Sequence, residues 1–131
     1  MRFAVEIAAL PFEFECGDAA FVAAARKRYR AFLTRRSGPR YTVEAVAELP
    51  EPRLGLVPIL EGRVARRRDF VLRGRHLVVH RAPHSFDSFL RLLVTLSLRD
   101  GVLIHAACAG GRILPGPSGA GKSTLGAKLG A

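Results

Sequence analysis

The order of apolar and polar residues predicts a chain in which strands and helices alternate. Apolar side chains recur at every second position over Arg2–Leu10, and a shorter alternation of the same kind covers Phe12–Glu15, as in strands with one buried face. Apolar residues at helical spacing follow Asp18, a favourable N-cap residue, and predict a helix over Asp18–Leu33. Tyr41–Leu49 is again typical of a strand.

The middle of the chain continues this alternation. Arg63–Val71 and His76–Arg81 are typical of the two strands of a hairpin that are joined by a glycine-containing turn. Ser85 can cap a helix from Phe86 to about Leu98. The predicted buried stripe of that helix consists of Phe89, Leu92, Leu93 and Leu96.

Two more strands and a helix are predicted near the end of the printed sequence. Val102–Ala107 and Arg112–Pro115 are apolar and strand-like, and Gly110-Gly111 between them suits a tight turn. Lys122–Leu129 has the composition of a helix. A glycine-rich stretch separates this helix from the strand before it.

The glycine-rich stretch from Gly116 to Ser123 reads GPSGAGKS and matches the phosphate-binding pattern GxxxxGK[ST] at every position. Glycines allow consecutive backbone N–H groups to turn toward one anion, and the start of the following helix adds its positive end. Lys122 can reach the β- and γ-phosphates of a nucleotide, and the Ser123 hydroxyl can ligate Mg²⁺. ATP and Mg²⁺ are therefore the predicted cofactors, and Lys122 is also a candidate catalytic residue. The predicted nucleotide-binding residues are Gly116, Pro117, Ser118, Gly119, Ala120, Gly121, Lys122, Ser123 and Thr124.

These elements together predict an α/β chain in two parts. Residues 1–83 would form a small mixed α+β module, and residues 84–131 would begin a P-loop nucleotide-binding core. The sequence of the loop does not distinguish among the classes of P-loop protein, because GPSGAGKST is similar to the phosphate loops of both ABC-transporter ATPases and guanylate kinases. Guanylate kinases carry this loop near the start of the chain, whereas here it begins at Gly116.

The segment Gly101–Thr124 resembles the HPr kinase/phosphorylase family and its related kinases. It reads GVLIHAA, then a Gly-Gly turn, a short apolar strand and the phosphate loop. In that family a strand with a histidine leads into a hairpin whose second strand is followed by the loop, and His105 has the corresponding position. With the preceding leucine-rich helix, the resemblance covers roughly Ser85–Ala131. It implies an ATP-dependent kinase that phosphorylates a serine hydroxyl of a protein or peptide and assembles into oligomers.

The resemblance also implies a role for His105 close to the transferred phosphate, as a hydrogen-bond donor or in positioning the acceptor. The competing interpretation is a strand histidine whose ring is satisfied by backbone partners. Thr124 stands where the HPr kinases have an acidic residue directly after the GKS, which argues against a phosphorylase activity. The acidic residues that follow the loop in the family are not part of this sequence. The chain is therefore expected to be the N-terminal part of a longer kinase and inactive alone.

Two alternatives to the kinase remain at this point. One is an ABC-type or other P-loop ATPase, and the other is a non-enzymatic basic module that binds nucleotide or nucleic acid. Lys and Arg number 21 against 11 Asp and Glu, which gives a net charge of +10. Many of the arginines lie on the predicted hairpin and first helix, but no aromatic residues that could stack on bases are interleaved with them, which argues against nucleic acid.

Composition favours a folded protein of the cytoplasm. Hydrophobic residues make up 49% of the sequence and charged residues 24%, which allows a core to form. No apolar run is long enough to span a bilayer, and Glu6 interrupts the apolar stretch that a signal peptide would need. Cys16 and Cys108 lie far apart and form no CxxC motif, so reduced thiols are expected.

Overall fold

The computed structural model describes residues 1–49, 55, 58–101, 106–109 and 112–115, the last two ranges as strands only. The elements are β1 (Arg2–Ile7), β2 (Leu10–Cys16), α1 (Ala19–Arg28), a 3-10 turn (Arg30–Phe32), β3 (Arg40–Val46), β4 (Ile59–Glu61), β5 (Val64–Arg67), β6 (Phe70–Arg73), β7 (His76–His80), α2 (Pro83–Ser97), β8 (Ala106–Ala109) and β9 (Arg112–Pro115). The chain is thus mixed α/β, as its sequence predicts.

The chain divides into two compact units, Met1–Ser97 and Leu98–Ala131. The first unit includes α2, whereas the sequence pattern predicts that this helix belongs to the second part, residues 84–131. The physical reason lies in the aromatic rings of α2, because Phe86 and Phe89 pack on rings of the sheet. Phe86 is 5.1 Å from Phe14, and Phe89 is 5.6 Å from Phe70, measured between ring centroids.

The sheet of the first unit has the strand order β1-β2-β3-β7-β6-β5-β4. Its centre is parallel, since β3 runs parallel to both β2 and β7, whereas β1 and the strands from β6 to β4 pair antiparallel with their neighbours. The connection from β2 through α1 to β3 is the crossover that parallel strands require. Register places Phe14 opposite both Phe3 and Tyr41, so that one face of the sheet carries a row of aromatic rings.

The first predicted strand is divided by a turn. β1 ends at Ile7, and Ala8 and Ala9 turn the chain back into β2 with φ angles of 53° and 63°. Turns of this left-handed type normally carry Asn or Gly, because a Cβ is unfavourable there. Two alanines give no such signal, so the prediction of one strand over Arg2–Leu10 was wrong at its end.

The first helix is shorter than its sequence predicts. Asp18 is confirmed as the N-cap, since its Oδ1 accepts a hydrogen bond of 3.0 Å from the Phe21 N–H. The helix nevertheless ends at Arg28, with Tyr29 as the C-cap. After the 3-10 turn, Leu33 bridges to Val5, so the segment that was predicted as helix leaves α1 to contact the edge of the sheet.

The predicted strand Arg63–Val71 is two strands. A turn at Arg68 and Asp69 separates β5 from β6, and Arg67 pairs with Phe70 across it. The turn between β6 and β7 contains Gly74 at a φ of 61°, which confirms the glycine-containing turn. The two residues of this turn are charged, and charged residues also occur on the exposed face of a strand. The sequence alone therefore predicts one long strand here.

The second predicted helix has an earlier start and a different buried stripe. α2 begins at Pro83, and Ser85 is fully buried in its first turn, so the prediction of a Ser85 cap was wrong. Phe89 and Leu93 are buried as expected, but Leu96 is 57% exposed. The apolar residues that α2 buries are Phe86, Phe89, Leu90, Leu93 and Val94. This set has helical spacing, as the predicted set does, and packing against the sheet decides which of the two is buried.

The second unit contains an antiparallel pair of strands. Ala106 pairs with Pro115, and Ala109 pairs with Arg112. The strand Arg112–Pro115 is therefore confirmed, and β8 continues to Ala109, beyond the predicted end at Ala107. The predicted Gly110-Gly111 turn lies outside the described residues.

Candidate functional site

The predicted nucleotide-binding loop lies outside the described residues, and so do His105 and the helix predicted over Lys122–Leu129. The structure describes the strand that leads to this loop. β9 ends at Pro115, immediately before Gly116, and it is the second strand of an antiparallel hairpin with β8. Phosphate loops follow a strand and precede a helix, and the first half of that order is present.

A groove in the first unit lies along α1 and the start of α2. We call it the α1–α2 groove, and its volume is about 700 Å³. Its apolar lining includes Phe21 and Phe86, whose side chains are buried, and the small side chains of Ala20, Ala24 and Ala25. Its polar lining residues are Asp18, Lys27, Arg28, Tyr29 and Arg81.

The charged side chains that line the groove differ in whether they have an oppositely charged partner. Arg81 lies 3.4 Å from the Asp18 carboxylate, measured from its Nη2 to Oδ2, and both side chains are solvent-accessible. Such a pair contributes little to stability and leaves the guanidinium free to exchange partners. Within the part of the chain that the structure describes, Lys27 makes no ion pair. The rim is therefore positive on balance.

A carboxylate next to the groove joins the two helices. The Arg28 Nε donates to both oxygens of Asp87, at 2.9 and 3.2 Å, and its Nη2 donates to Asp87 Oδ2. The Tyr29 hydroxyl donates to Asp87 Oδ1. Arg28 and Tyr29 close the C-terminal end of α1, and Asp87 lies on α2, so three side chains connect elements that are distant in sequence.

The protonation of this cluster suits a structural connection rather than proton transfer. Burial raises the pKa of Tyr29, and the hydrogen bond to Asp87 and the charge of Asp87 raise it further. Burial also acts to raise the pKa of Asp87, but the hydrogen bonds from Arg28 and Tyr29 and the positive charges of Arg28 and Arg91 outweigh it and lower that pKa from its ordinary value. Near neutral pH the phenol stays protonated and the carboxylate ionised, so neither group is poised to exchange a proton.

Sequence reasoning missed this cluster. Tyr29 lies within the first predicted helix at the spacing of its apolar residues, and nothing in the sequence around Asp87 marks that residue as a partner. One signal was available, because a tyrosine on a buried face needs a partner for its hydroxyl. The identity of that partner, 58 residues away, follows only from the packing of α2 beside α1.

Many cations of the sheet are paired with carboxylates. On the first three strands Arg2 lies 3.6 Å from Glu15, and Arg40 lies 3.7 Å from Glu13. On the predicted basic hairpin Arg66 lies 3.1 Å from Glu61, and Arg67 lies 3.2 Å from Asp69. Carboxylates therefore offset part of the positive charge of the sheet.

The histidines of β7 have partners of their own. His76 Nε2 lies 3.6 Å from a Glu44 carboxylate oxygen, and His80 Nδ1 accepts a hydrogen bond of 3.0 Å from the Ala82 N–H. Among the described residues no group of three or more histidine, cysteine, aspartate or glutamate side chains could hold a metal ion. Cys16 is buried as a free thiol.

Neither helix in the described ranges combines the length and the apolar character that crossing a bilayer requires.

Comparison with known proteins gives no relative. No protein-family model matches the sequence, no curated protein matches it, and no solved structure matches it.

Proposed function

We propose that this chain binds ATP with Mg²⁺ through the loop Gly116–Thr124 and is part of a serine kinase related to the HPr kinases. The observation that carries the proposal is the complete GxxxxGK[ST] match directly after β9, which ends at Pro115. The kinase would transfer the γ-phosphate of ATP to a hydroxyl of a protein or peptide. The resemblance to the HPr kinases includes a pair of antiparallel strands directly before the loop, and β8 and β9 form such a pair.

The glycines, Lys122 and Ser123 would have roles that follow from their chemistry. The glycines at 116, 119 and 121 would let backbone N–H groups approach the phosphate oxygens closely. The Lys122 ammonium would neutralise the β- and γ-phosphates, and the Ser123 hydroxyl supplies the type of oxygen ligand that Mg²⁺ accepts. Bound Mg²⁺ would offset the charge that develops on the transferred phosphoryl group. His105 would position the acceptor or donate a hydrogen bond to the phosphate.

Calorimetric titration of the chain with ATP in the presence of Mg²⁺ tests this proposal. Lys122→Ala removes a charge-assisted contact, so the dissociation constant should rise about tenfold or more. Lys128→Ala makes the same change in charge six residues further along and should leave the affinity within about twofold. His105→Ala should also leave the affinity nearly unchanged, because its proposed role concerns the transfer step.

Equal ATP affinities of the parent chain and Lys122→Ala would show that the loop does not bind phosphate. An ABC-type or other P-loop ATPase would pass this binding test as well. Incubation of the complete enzyme, of which this chain is proposed to be a part, with γ-labelled ATP separates the two classes, since a kinase leaves the label on an acceptor hydroxyl, whereas an ATPase releases it as inorganic phosphate.

A further inference from the structure

We propose that the α1–α2 groove binds a small organic anion with an apolar body. The groove lies within the unit Met1–Ser97, so this inference does not depend on the phosphate loop. The shape of the groove, the charge on its rim and its size each favour such a ligand.

The shape of the groove results from small side chains on α1. Ala20 and Ala24 are exposed and line the groove together with the buried Ala25. Larger side chains at the two exposed positions would fill the space beside Phe21 and Phe86. The floor is consequently apolar and partly aromatic, which favours a ligand with an apolar or aromatic body because its burial removes that surface from water.

The charge on the rim selects an anion. Lys27 has no carboxylate partner among the described residues. The Arg81 side chain is 61% exposed, and its ion pair with Asp18 has an N–O distance of 3.4 Å. The Asp18 carboxylate is itself occupied by the Phe21 N–H and Arg81. Pro83 begins α2 at the same groove, and the first turn of α2 contains no acidic residue, so the positive end of this helix is not neutralised there.

The size of the groove favours a small molecule over a protein partner. A volume of about 700 Å³ falls in the range of about 300–1,000 Å³ that is typical of small-molecule sites. The ten residues of α1 extend for only about 15 Å. A stable protein complex needs a contact of about 800 Å² on each partner, which is more than this short concave surface offers.

Two matched fluorescent probes test the proposal on the intact chain. 8-Anilinonaphthalene-1-sulfonate has an aromatic body and one negative charge, and N-phenyl-1-naphthylamine has the same body without the charge. The sulfonate should bind at one site, and the neutral probe should bind about tenfold more weakly because it lacks the charge-assisted contact. Equal affinities of the two probes would show that charge plays no part.

Substitutions on α1 locate the probe. Ala24→Trp fills the groove and should raise the dissociation constant of the sulfonate about tenfold or more. Ala23→Trp is the matched control, because Ala23 is also exposed on α1 but does not line the groove, and it should change the affinity less than about twofold. Circular dichroism of both variants checks that α1 remains folded.

Substitutions of the rim cations provide a second, independent set of variants that leaves the groove volume nearly unchanged. Lys27→Ala and Arg81→Ala should each weaken binding of the sulfonate by about three- to tenfold, with little effect on the neutral probe. Arg30→Ala removes an exposed cation near the same end of α1 that does not line the groove, and it should have no effect on either probe.

Several outcomes would overturn the proposal. These are a sulfonate that does not bind, equal effects of Ala24→Trp and Ala23→Trp, and loss of probe binding in Lys122→Ala, which would place the probe at the phosphate loop. A dimer in sedimentation analysis that Ala24→Trp dissociates would show instead that a second copy of the chain covers the groove. Unchanged probe binding in Lys122→Ala, with or without loss of ATP binding, separates this site from the proposed nucleotide site.

Discussion

Tyr29 shows how one side chain can connect two helices that are far apart in sequence. Its ring lies 5.7 Å from that of Phe86, measured between centroids, while its hydroxyl donates to the neighbouring Asp87. The apolar part of the residue thus packs in the core and its polar end meets a carboxylate at the edge of the core. Arg28 binds the same carboxylate through two nitrogens, which fixes the geometry of Asp87 for both partners.

Tyr29→Phe should lower the free energy of unfolding by about 1–2 kcal/mol, because it removes a hydrogen bond to a charged group and leaves the ring in place. Urea denaturation measures the difference. Tyr41→Phe is the matched control, since no described residue makes a hydrogen bond to the Tyr41 hydroxyl, and it should change stability by less than about 0.5 kcal/mol. Equal effects of the two substitutions would contradict the proposed role of the Tyr29–Asp87 contact.

Asp87 should also make stability depend on pH. Its pKa is lowered in the folded chain, from an ordinary value of 3.8. A carboxylate of this kind stabilises the fold above the unfolded pKa, and this contribution is lost as the pH falls through the lower folded pKa. Asp87→Asn should therefore be less stable than the parent chain at pH 7, and the difference should shrink below about pH 4.

Thermal unfolding of both proteins at pH 7, 5 and 3 measures that difference. The Glu15→Gln variant serves as a control, because Glu15 forms an exposed ion pair with Arg2 at 3.6 Å, which contributes little to stability, so its stability should stay close to that of the parent chain. A difference between Asp87→Asn and the parent that is the same at all three pH values would show that the carboxylate is not held in its charged form.

At the level of secondary structure, the loop before β3 depends on a close approach of two backbone segments. A Cβ at Gly38 would lie 2.0 Å from the Pro11 carbonyl oxygen and 2.6 Å from its carbonyl carbon. The next residue accepts a hydrogen bond of 2.9 Å from the Glu13 N–H through the Pro39 carbonyl. The loop is thereby held against β2, which places Arg40 in register opposite Glu13 at the start of the parallel pair.

Gly38→Ala should therefore destabilise the chain by about 1–3 kcal/mol, since the backbone must shift to remove the overlap. Gly17→Ala is the control, because a Cβ at Gly17 would meet nothing within 4 Å, and it should be neutral or slightly stabilising. Urea denaturation of the two variants measures the contrast. If Gly38→Ala were as stable as the parent, the close approach to Pro11 would not be part of the folded chain.

Across the whole molecule, the net charge of +10 is spread over a surface in which many cations face carboxylates. Arg36 lies 2.6 Å from Glu6, and the other pairs of the sheet continue this pattern. A nucleic-acid interface would instead concentrate unpaired cations beside exposed aromatic rings. Most rings of the first unit lie in its core, where Phe14 and Phe70 are fully buried, and Phe32, which is 48% exposed, is the exception.

We therefore expect only non-specific binding to nucleic acid. Fluorescence anisotropy with a labelled single-stranded DNA should give a dissociation constant of about 10⁻⁴–10⁻⁶ M at physiological salt, and the affinity should fall steeply as salt is raised. A nanomolar affinity that withstands about 0.2 M salt would contradict this expectation and favour a nucleic-acid-binding module.

Local patterns in the sequence predict most of the elements but not their ends. The Asp18 cap, the strand Arg112–Pro115 and the glycine turn at Gly74 each depend on a few neighbouring residues, and each is confirmed. The Ala8-Ala9 turn carries no local signal. α1 ends at Arg28, and Leu33 then forms a β-bridge with Val5 of the edge strand β1. No local sequence pattern indicates this contact.

The chemistry of the proposed phosphate loop is predicted from sequence because its pattern is contiguous, and every residue that would bind nucleotide lies between Gly116 and Thr124. The α1–α2 groove and the Asp87 cluster are different. Their side chains come from α1, α2 and the residues just before α2, and they meet only when both helices pack on the same face of the sheet. Residue types and spacing therefore predict chemistry that one continuous segment would contain, whereas a site shared by distant segments is created by packing.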